Sequence, residues 1–299
     1  MMEALKIEKS IKTYSNQEEC AKLIYKKFEY RKILYICVYA KTQAGKTGLI
    51  FNLIEKFNEN KEEYNPRNMY IISGLSSTDW IEQTGNRMPN YMHDKIYHRN
   101  HIPQLKNELK DKEDITIFID ECHVAAKQKQ TLGKLFEDLH YNDPQTLLKK
   151  NIKIISLSAT PNGTIYDLDT WGENACKIKM DPGDGYVGVE DLLNNGQLEQ
   201  CKDLCCSENI KELEKDINNL KTPSYHLIRI SNAKKGKVQI EFFKKYFVDK
   251  KYTYIEYDKD NNFKINDIME LPPKNHTFIF IKEKIRCAVT LNKDYLGIV

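Results

Sequence analysis

The stretch KILYICVYAKTQAGKTG, residues 32–48, begins as an apolar run rich in β-branched and aromatic side chains and stops at a small, polar cluster. A short continuous apolar run of this kind reads as a strand buried on both faces. The residues that follow, LIFNLIEKF at 49–57, repeat their apolar positions at helical spacing. Strand, tight turn and helix therefore follow one another within 26 residues. The same unit recurs outward along the chain. NMYIISGLS at 68–76 precedes a helix through Trp80, and DITIFIDE at 114–121 and NIKIISLSATP at 151–161 are further strands. Continuous apolar strands alternating with helices indicate an α/β fold whose parallel sheet is covered on both sides. Ligands of such sheets gather at the carboxyl ends of the strands, where each of these runs turns polar.

Two of those ends carry chemistry. AKTQAGKT at 40–47 matches the phosphate-loop pattern G-x-x-x-x-G-K-[ST] except for Ala40 in the first place. In such a loop the backbone around Thr42, Gln43, Ala44, Gly45 and Gly48, with the positive end of the helix, surrounds phosphate groups. Lys46 neutralises the terminal phosphates and the Thr47 hydroxyl holds Mg²⁺. A chance Gly-Lys-Thr is the competing reading, and the flanking strand and helix weigh against it. IFIDECH at 117–123 ends a strand in two adjacent acids, a costly arrangement unless a cation is bound. Beside a phosphate loop that cation is Mg²⁺, with Asp120 binding it and Glu121 orienting and deprotonating the attacking water. SLSATP at 156–161 is, taken alone, a strand ending in small hydroxyl residues.

In this order, the phosphate loop, D-E-C-H and S-A-T resemble motifs I, II and III of superfamily 2 helicases and translocases. Cys122 and His123 place the tetrad nearer the DExH branch than the DEAD-box RNA helicases. The resemblance covers residues 17–161 well and the remainder weakly, and it extends to helicases of large DNA viruses and phages. It implies a RecA-like phosphate-loop NTPase lobe with ATP and Mg²⁺ as cofactors. It implies single-stranded or duplex DNA or RNA as partner, together with replication or transcription proteins. By position it also implies that Gln17 reads the adenine edge, that His123 bonds across to Ser158 and Thr160, and that Ser73, Gly74 and Leu75 hold a nucleic-acid backbone. A surface glutamine and a plain strand-to-helix turn are the competing readings at Gln17 and at Ser73.

Past Tyr166 the pattern loosens into Gly-, Asp- and Asn-rich loops, then strand signals resume at SYHLIRI (224–230), YTYIEYD (252–258) and HTFIFIKEK (276–284). The expected division is a first lobe at 1–175, an inter-lobe region at 176–220 and a second, incomplete RecA-like lobe at 221–299. The resemblance places motif IV near Arg229 and motif V near Lys282, Arg286 and Thr290, as phosphate contacts. A solvated basic strand end is the competing reading. No Q-x-x-G-R-x-x-R-like segment follows. The expectation is a piece of a longer protein, or an arginine supplied by a partner, with Arg286 a weak substitute. The rival functions are a phosphate-loop ATPase acting on protein and a module that binds nucleotide or nucleic acid without turnover.

Composition narrows less. The 299 residues are 40% hydrophobic and 30% charged, with a net charge of +3 and a mean hydropathy of -0.63. No apolar run approaches the ~20 residues of a membrane span. Without a secretory pattern at the N-terminus, the eight cysteines are expected reduced, in the cytoplasm or another intracellular compartment. CKDLCC at 201–206 lacks the C-x₂-C spacing of structural zinc and reads as small packing residues.

Overall fold

The computed structural model describes residues 12–30, 32–59, 66–124, 130–160, 168, 170–231, 234–285 and 291–299. It divides into two compact units, Met1–Asn195 and Gly196–Val299. In the first, α1 (Ser15–Glu29) precedes β1 (Tyr35–Ala40) and α2 (Lys46–Glu59). Then come β2 (Met69–Ser73), α3 (Thr78–Gly85), β3 (Ile96–Tyr97), α4 (Ile102–Leu109) and β4 (Thr116–Asp120). α5 (Thr131–Asp138), α6 (Pro144–Lys149), β5 (Lys153–Ser158), β6 (Ala175–Met180) and α7 (Val189–Asn194) complete it.

The six strands form one parallel sheet in the order β3-β2-β4-β5-β1-β6. Alternation along the strands assigns the two faces. Ile36, Val38 and Ala40 of β1 meet Ile24 of α1 and Leu53 of α2 in one cluster. Tyr35 and Cys37 turn the other way, toward Leu105 of α4, Leu135 of α5 and Leu147 of α6. Both faces are therefore dry, which is why the strands read as unbroken apolar runs. The expected parallel α/β lobe is present.

The sheet runs past residue 175, because β6 pairs along the whole of β1. Only Ile178 and Met180 of β6 are buried, and lysines 177 and 179 alternate with them. Lysines on an edge strand keep it from pairing further, and they also blur its apolar signal in the sequence.

The second unit holds α8 (Ser207–Asn218), β7 (Tyr225–Arg229), α9 (Lys234–Tyr246), β8 (Thr253–Tyr257), α10 (Ile265–Met269) and β9 (Thr277–Ile281). Its three strands are parallel in the order β7-β9-β8. Phe278 and Phe280 of β9 pack with Ile210 and Ile217 of α8 and Phe243 of α9. Tyr225, Leu227, Ile279 and Ile281 pack with Ile265 and Met269 of α10 on the other side. α8 thus belongs to this unit's core, and the division falls after Asn195 rather than at residue 220. Among the described residues no helix is long and apolar enough to cross a membrane.

Candidate functional site

Register alone brings the three motif segments together. β1 and β4 flank β5, with Tyr39 opposite Ser158 and Asp120 opposite Leu157. The loop after β1, the acids at the end of β4 and the hydroxyls at the end of β5 therefore share one sheet edge. Within the loop, Ala44 N–H donates to Lys41 O at 3.2 Å, and Gly45 takes φ +94, a conformation natural to glycine. Thr47 is half-buried in the first turn of α2. Lys46 is 8% exposed, and its Nζ lies 3.5 Å from Glu121 Oε1. Side chains from two motifs 75 residues apart thus meet across the sheet edge.

Asp120 is buried and held at both oxygens. Its Oδ2 accepts from Trp80 Nε1–H at 2.9 Å, and its Oδ1 accepts from Glu121 N–H at 3.1 Å. Burial pushes its carboxyl above the usual range; the Trp80 hydrogen bond and Lys46 oppose this, while the charge of Glu121 adds to it. A buried carboxylate beside a second acid offers hard oxygen donors of the kind that could take a hydrated Mg²⁺. Glu121 adopts φ +51, a left-handed turn that lifts it off the strand. Cys122 N–H then donates to Leu157 O at 3.0 Å and ties the turn to β5. His123 Nδ1 sits 2.9 Å from Ser158 Oγ and 3.5 Å from Glu121 Oε2, and Thr160 N–H donates to Ser158 Oγ at 3.0 Å. His123, Ser158 and Thr160 are thus connected, with Ser158 as the shared node.

Gln17 is 4% exposed and both ends of its amide are engaged. Nε2–H donates to Gly45 O, and Oε1 accepts from Tyr14 N–H, each at 3.1 Å. In this arrangement the amide clamps the phosphate loop to the start of α1. The segment after β6 lies against the same two elements. Asn16 Nδ2–H donates to Asp181 O at 2.9 Å, Tyr186 Oη–H donates to Thr42 O at 2.8 Å, and Lys41 pairs with Glu190 at 3.4 Å.

No family model matches the chain. It is 29% identical over 310 residues to an uncharacterized protein of Acanthamoeba polyphaga mimivirus, covering 95% of this chain and 75% of that protein. Among solved structures it is similar to a Sulfolobus solfataricus SWI2/SNF2 ATPase core in complex with dsDNA, at 11% identity and a TM-score of 0.41, covering 94% of this chain and 80% of that one. A second is the Escherichia coli DEAH/RHA helicase HrpB, at 11% identity and a TM-score of 0.48, covering 88% of this chain and 34% of that one.

Most of the residues expected on nucleic acid are buried or engaged within their own units. Ser73 is fully buried opposite Asp120 in the sheet, and its Oγ accepts from Leu75 N–H, so its hydroxyl closes its own turn; Gly74 is buried with it. Lys282 is buried, 3.7 Å from Glu256. Arg229 is exposed, yet its guanidinium donates to Lys284 O and Ile285 O and holds that turn. Arg286 and Thr290 lie outside the described residues. Sequence reasoning missed Arg99, which is exposed; its backbone N–H donates to Leu75 O and its side chain reaches Ser76 Oγ. It also missed Trp80 and Tyr186, because neither aromatic stands in a motif that would single it out.

Proposed function

We propose that this chain is an ATP-hydrolysing enzyme of the helicase or translocase type, stimulated by DNA or RNA. The first unit is its nucleotide-binding lobe, and the second is a further RecA-like lobe. The observation that carries the reading is the meeting of Lys46 and Glu121 at 3.5 Å beside the fixed carboxylate of Asp120. ATP enters with its phosphates against the loop backbone and the start of α2. Lys46 then exchanges its partner, leaving Glu121 for the terminal phosphates. Glu121, released from that ion pair, orients the attacking water and accepts its proton. Asp120 and Thr47 would hold Mg²⁺, which would supply charge neutralisation at the phosphate oxygens. The His123–Ser158 contact couples the acid turn to the end of β5, the route by which nucleotide state reaches the S-A-T segment.

The test is steady-state ATP turnover with and without single-stranded DNA or RNA, beside Glu121→Gln. The expected outcome is stimulation by nucleic acid. In the variant, turnover falls by a factor of about 10²–10⁴ while ATP binding is kept. Unchanged turnover in the variant would remove Glu121 from the mechanism. Turnover indifferent to nucleic acid would favour an ATPase acting on protein, and binding without turnover a non-catalytic module.

A further inference from the structure

The side chain that fixes Asp120 is a tryptophan from a different strand-helix unit. Trp80 is 2% exposed, and its ring lies in the apolar cluster that includes Ile71, Leu75, Met88, Met92 and Ile96. Its one polar atom, Nε1, points at Asp120 Oδ2 at 2.9 Å. An indole N–H only donates, so this contact can orient the carboxylate but cannot exchange a proton with it. The opposite oxygen is held by the backbone N–H of Glu121 at 3.1 Å. With one donor on each oxygen, the carboxylate plane is set before any cation arrives. Trp80 is itself positioned by the start of α3, where its backbone N–H donates to Ser77 Oγ at 3.3 Å. The turn before α3 begins at Ser73, the register partner of Asp120. α3 and the β2 turn therefore bracket Asp120 from the neighbouring strand, and a shift of α3 would carry the indole off the carboxylate.

We propose that Trp80 is a positioning residue for the Mg²⁺-binding carboxylate: its indole N–H holds Asp120 in the orientation that accepts the cation, and so links metal binding to the position of α3. This rests on the ATPase reading above. Partners that orient metal-binding groups are worth about 10–100-fold in metal affinity or activity.

Trp80→Phe keeps a buried ring and removes the donor. Equilibrium binding of a non-hydrolysable fluorescent ATP analogue, with Mg²⁺ and with EDTA, separates positioning from packing. The expected result is that the affinity gained from Mg²⁺ shrinks about tenfold in the variant, while metal-free binding is unchanged. Equal weakening in both conditions would mean a purely structural role and overturn the proposal, as would an unaltered Mg²⁺ gain. A wild-type chain that binds no Mg²⁺-nucleotide would sink the ATPase reading itself, which is a different outcome. A second measurement avoids altering Trp80. The chain has two tryptophans, and the other, Trp171, packs against Tyr35. In Trp171→Phe the remaining emission reports Trp80, and it should change when Mg²⁺ joins bound nucleotide but not with nucleotide alone. No change in a protein that binds the Mg²⁺ complex would refute the link.

Discussion

Gly45 and Gly48 abut the same Gln17 amide, but only Gly45 also needs its backbone freedom. A Cβ at Gly45 would lie 2.2 Å from Gln17 Nε2, and one at Gly48 would lie 2.5 Å from Gln17 Oε1. Gly45 holds φ +94, whereas Gly48 sits within α2. On helix propensity alone, Gly48→Ala would stabilise by about 1 kcal/mol. Overpacking against a buried side chain costs about 1–3 kcal/mol, and displacing the Gln17 amide also breaks its bonds to Gly45 O and Tyr14 N–H, so the net effect here is destabilising. The expectation is a lower melting temperature and weaker ATP binding for Gly48→Ala, both largely restored by adding Gln17→Ser. Gly45→Ala should stay impaired in either background, because shortening Gln17 does not relieve its φ. A double-mutant cycle on melting temperature checks this, and additive effects of Gly48→Ala and Gln17→Ser would show that the amide does not pack on the loop.

At the scale of elements, the β7–β9 pair contains a buried histidine whose protonation is fixed by its neighbours. His226 Nδ1 accepts from Ile298 N–H at 3.2 Å, so its proton resides on Nε2, which donates to His276 Nδ1 at 3.0 Å. Burial pushes His226 down to about 4, and His276 acts in the same direction. An unfolded histidine titrates near ~6.5, so between that pH and about 4 the unfolded chain binds the extra proton. The stabilisation is complete above ~6.5 and is lost as the pH falls toward 4, by a few kcal/mol at most (about 1.4 kcal/mol per pKa unit). Melting of the chain between pH 7 and 4.5 should show this loss, and His226→Gln should flatten it even if its baseline is lower. None of this could be read from the sequence, where His226 and His276 stand 50 residues apart with no pattern joining them. What could be read were elements buried on both faces, β1, β2, β4 and β5, whose unbroken apolar runs reflect their position inside a covered sheet. β6 escaped because an edge strand buries only alternate residues. A helix over 207–220 is legible from its amphipathic spacing, but that pattern says only that α8 packs, not on which unit. The site divides the same way: the loop and the acids announce themselves by local spacing. The Trp80 donor and the Gln17 clamp arise only from tertiary approach.

For the whole molecule, a net charge of +3 spread over 299 residues supplies no general field to attract a polyanion. Under the helicase-type reading, contact with nucleic acid then depends on where the 46 lysines and arginines cluster, not on the net charge. Arg99 is exposed beside the turn after β2, on the first unit. On the second unit, Arg229 is exposed but engaged with its own turn, and Lys282 faces Glu256. If these three alone make the contact, few phosphates are neutralised and few counterions released. For about three phosphates on a single strand, log affinity falls with log salt at a slope of roughly −2, or about sixteenfold weakening between 50 and 200 mM salt. Lys46 is buried and shielded from bulk salt, so the KM for ATP without nucleic acid should move little across the same range. Arg99→Ala should lower the slope by about one and weaken binding without sequence bias, leaving nucleotide binding intact. Fluorescence anisotropy on a labelled oligonucleotide across that salt range measures the slope directly. A slope near zero would remove phosphate tracking from the proposed mechanism. A slope many times steeper would mean that cations beyond Arg99, Arg229 and Lys282 take part in the contact.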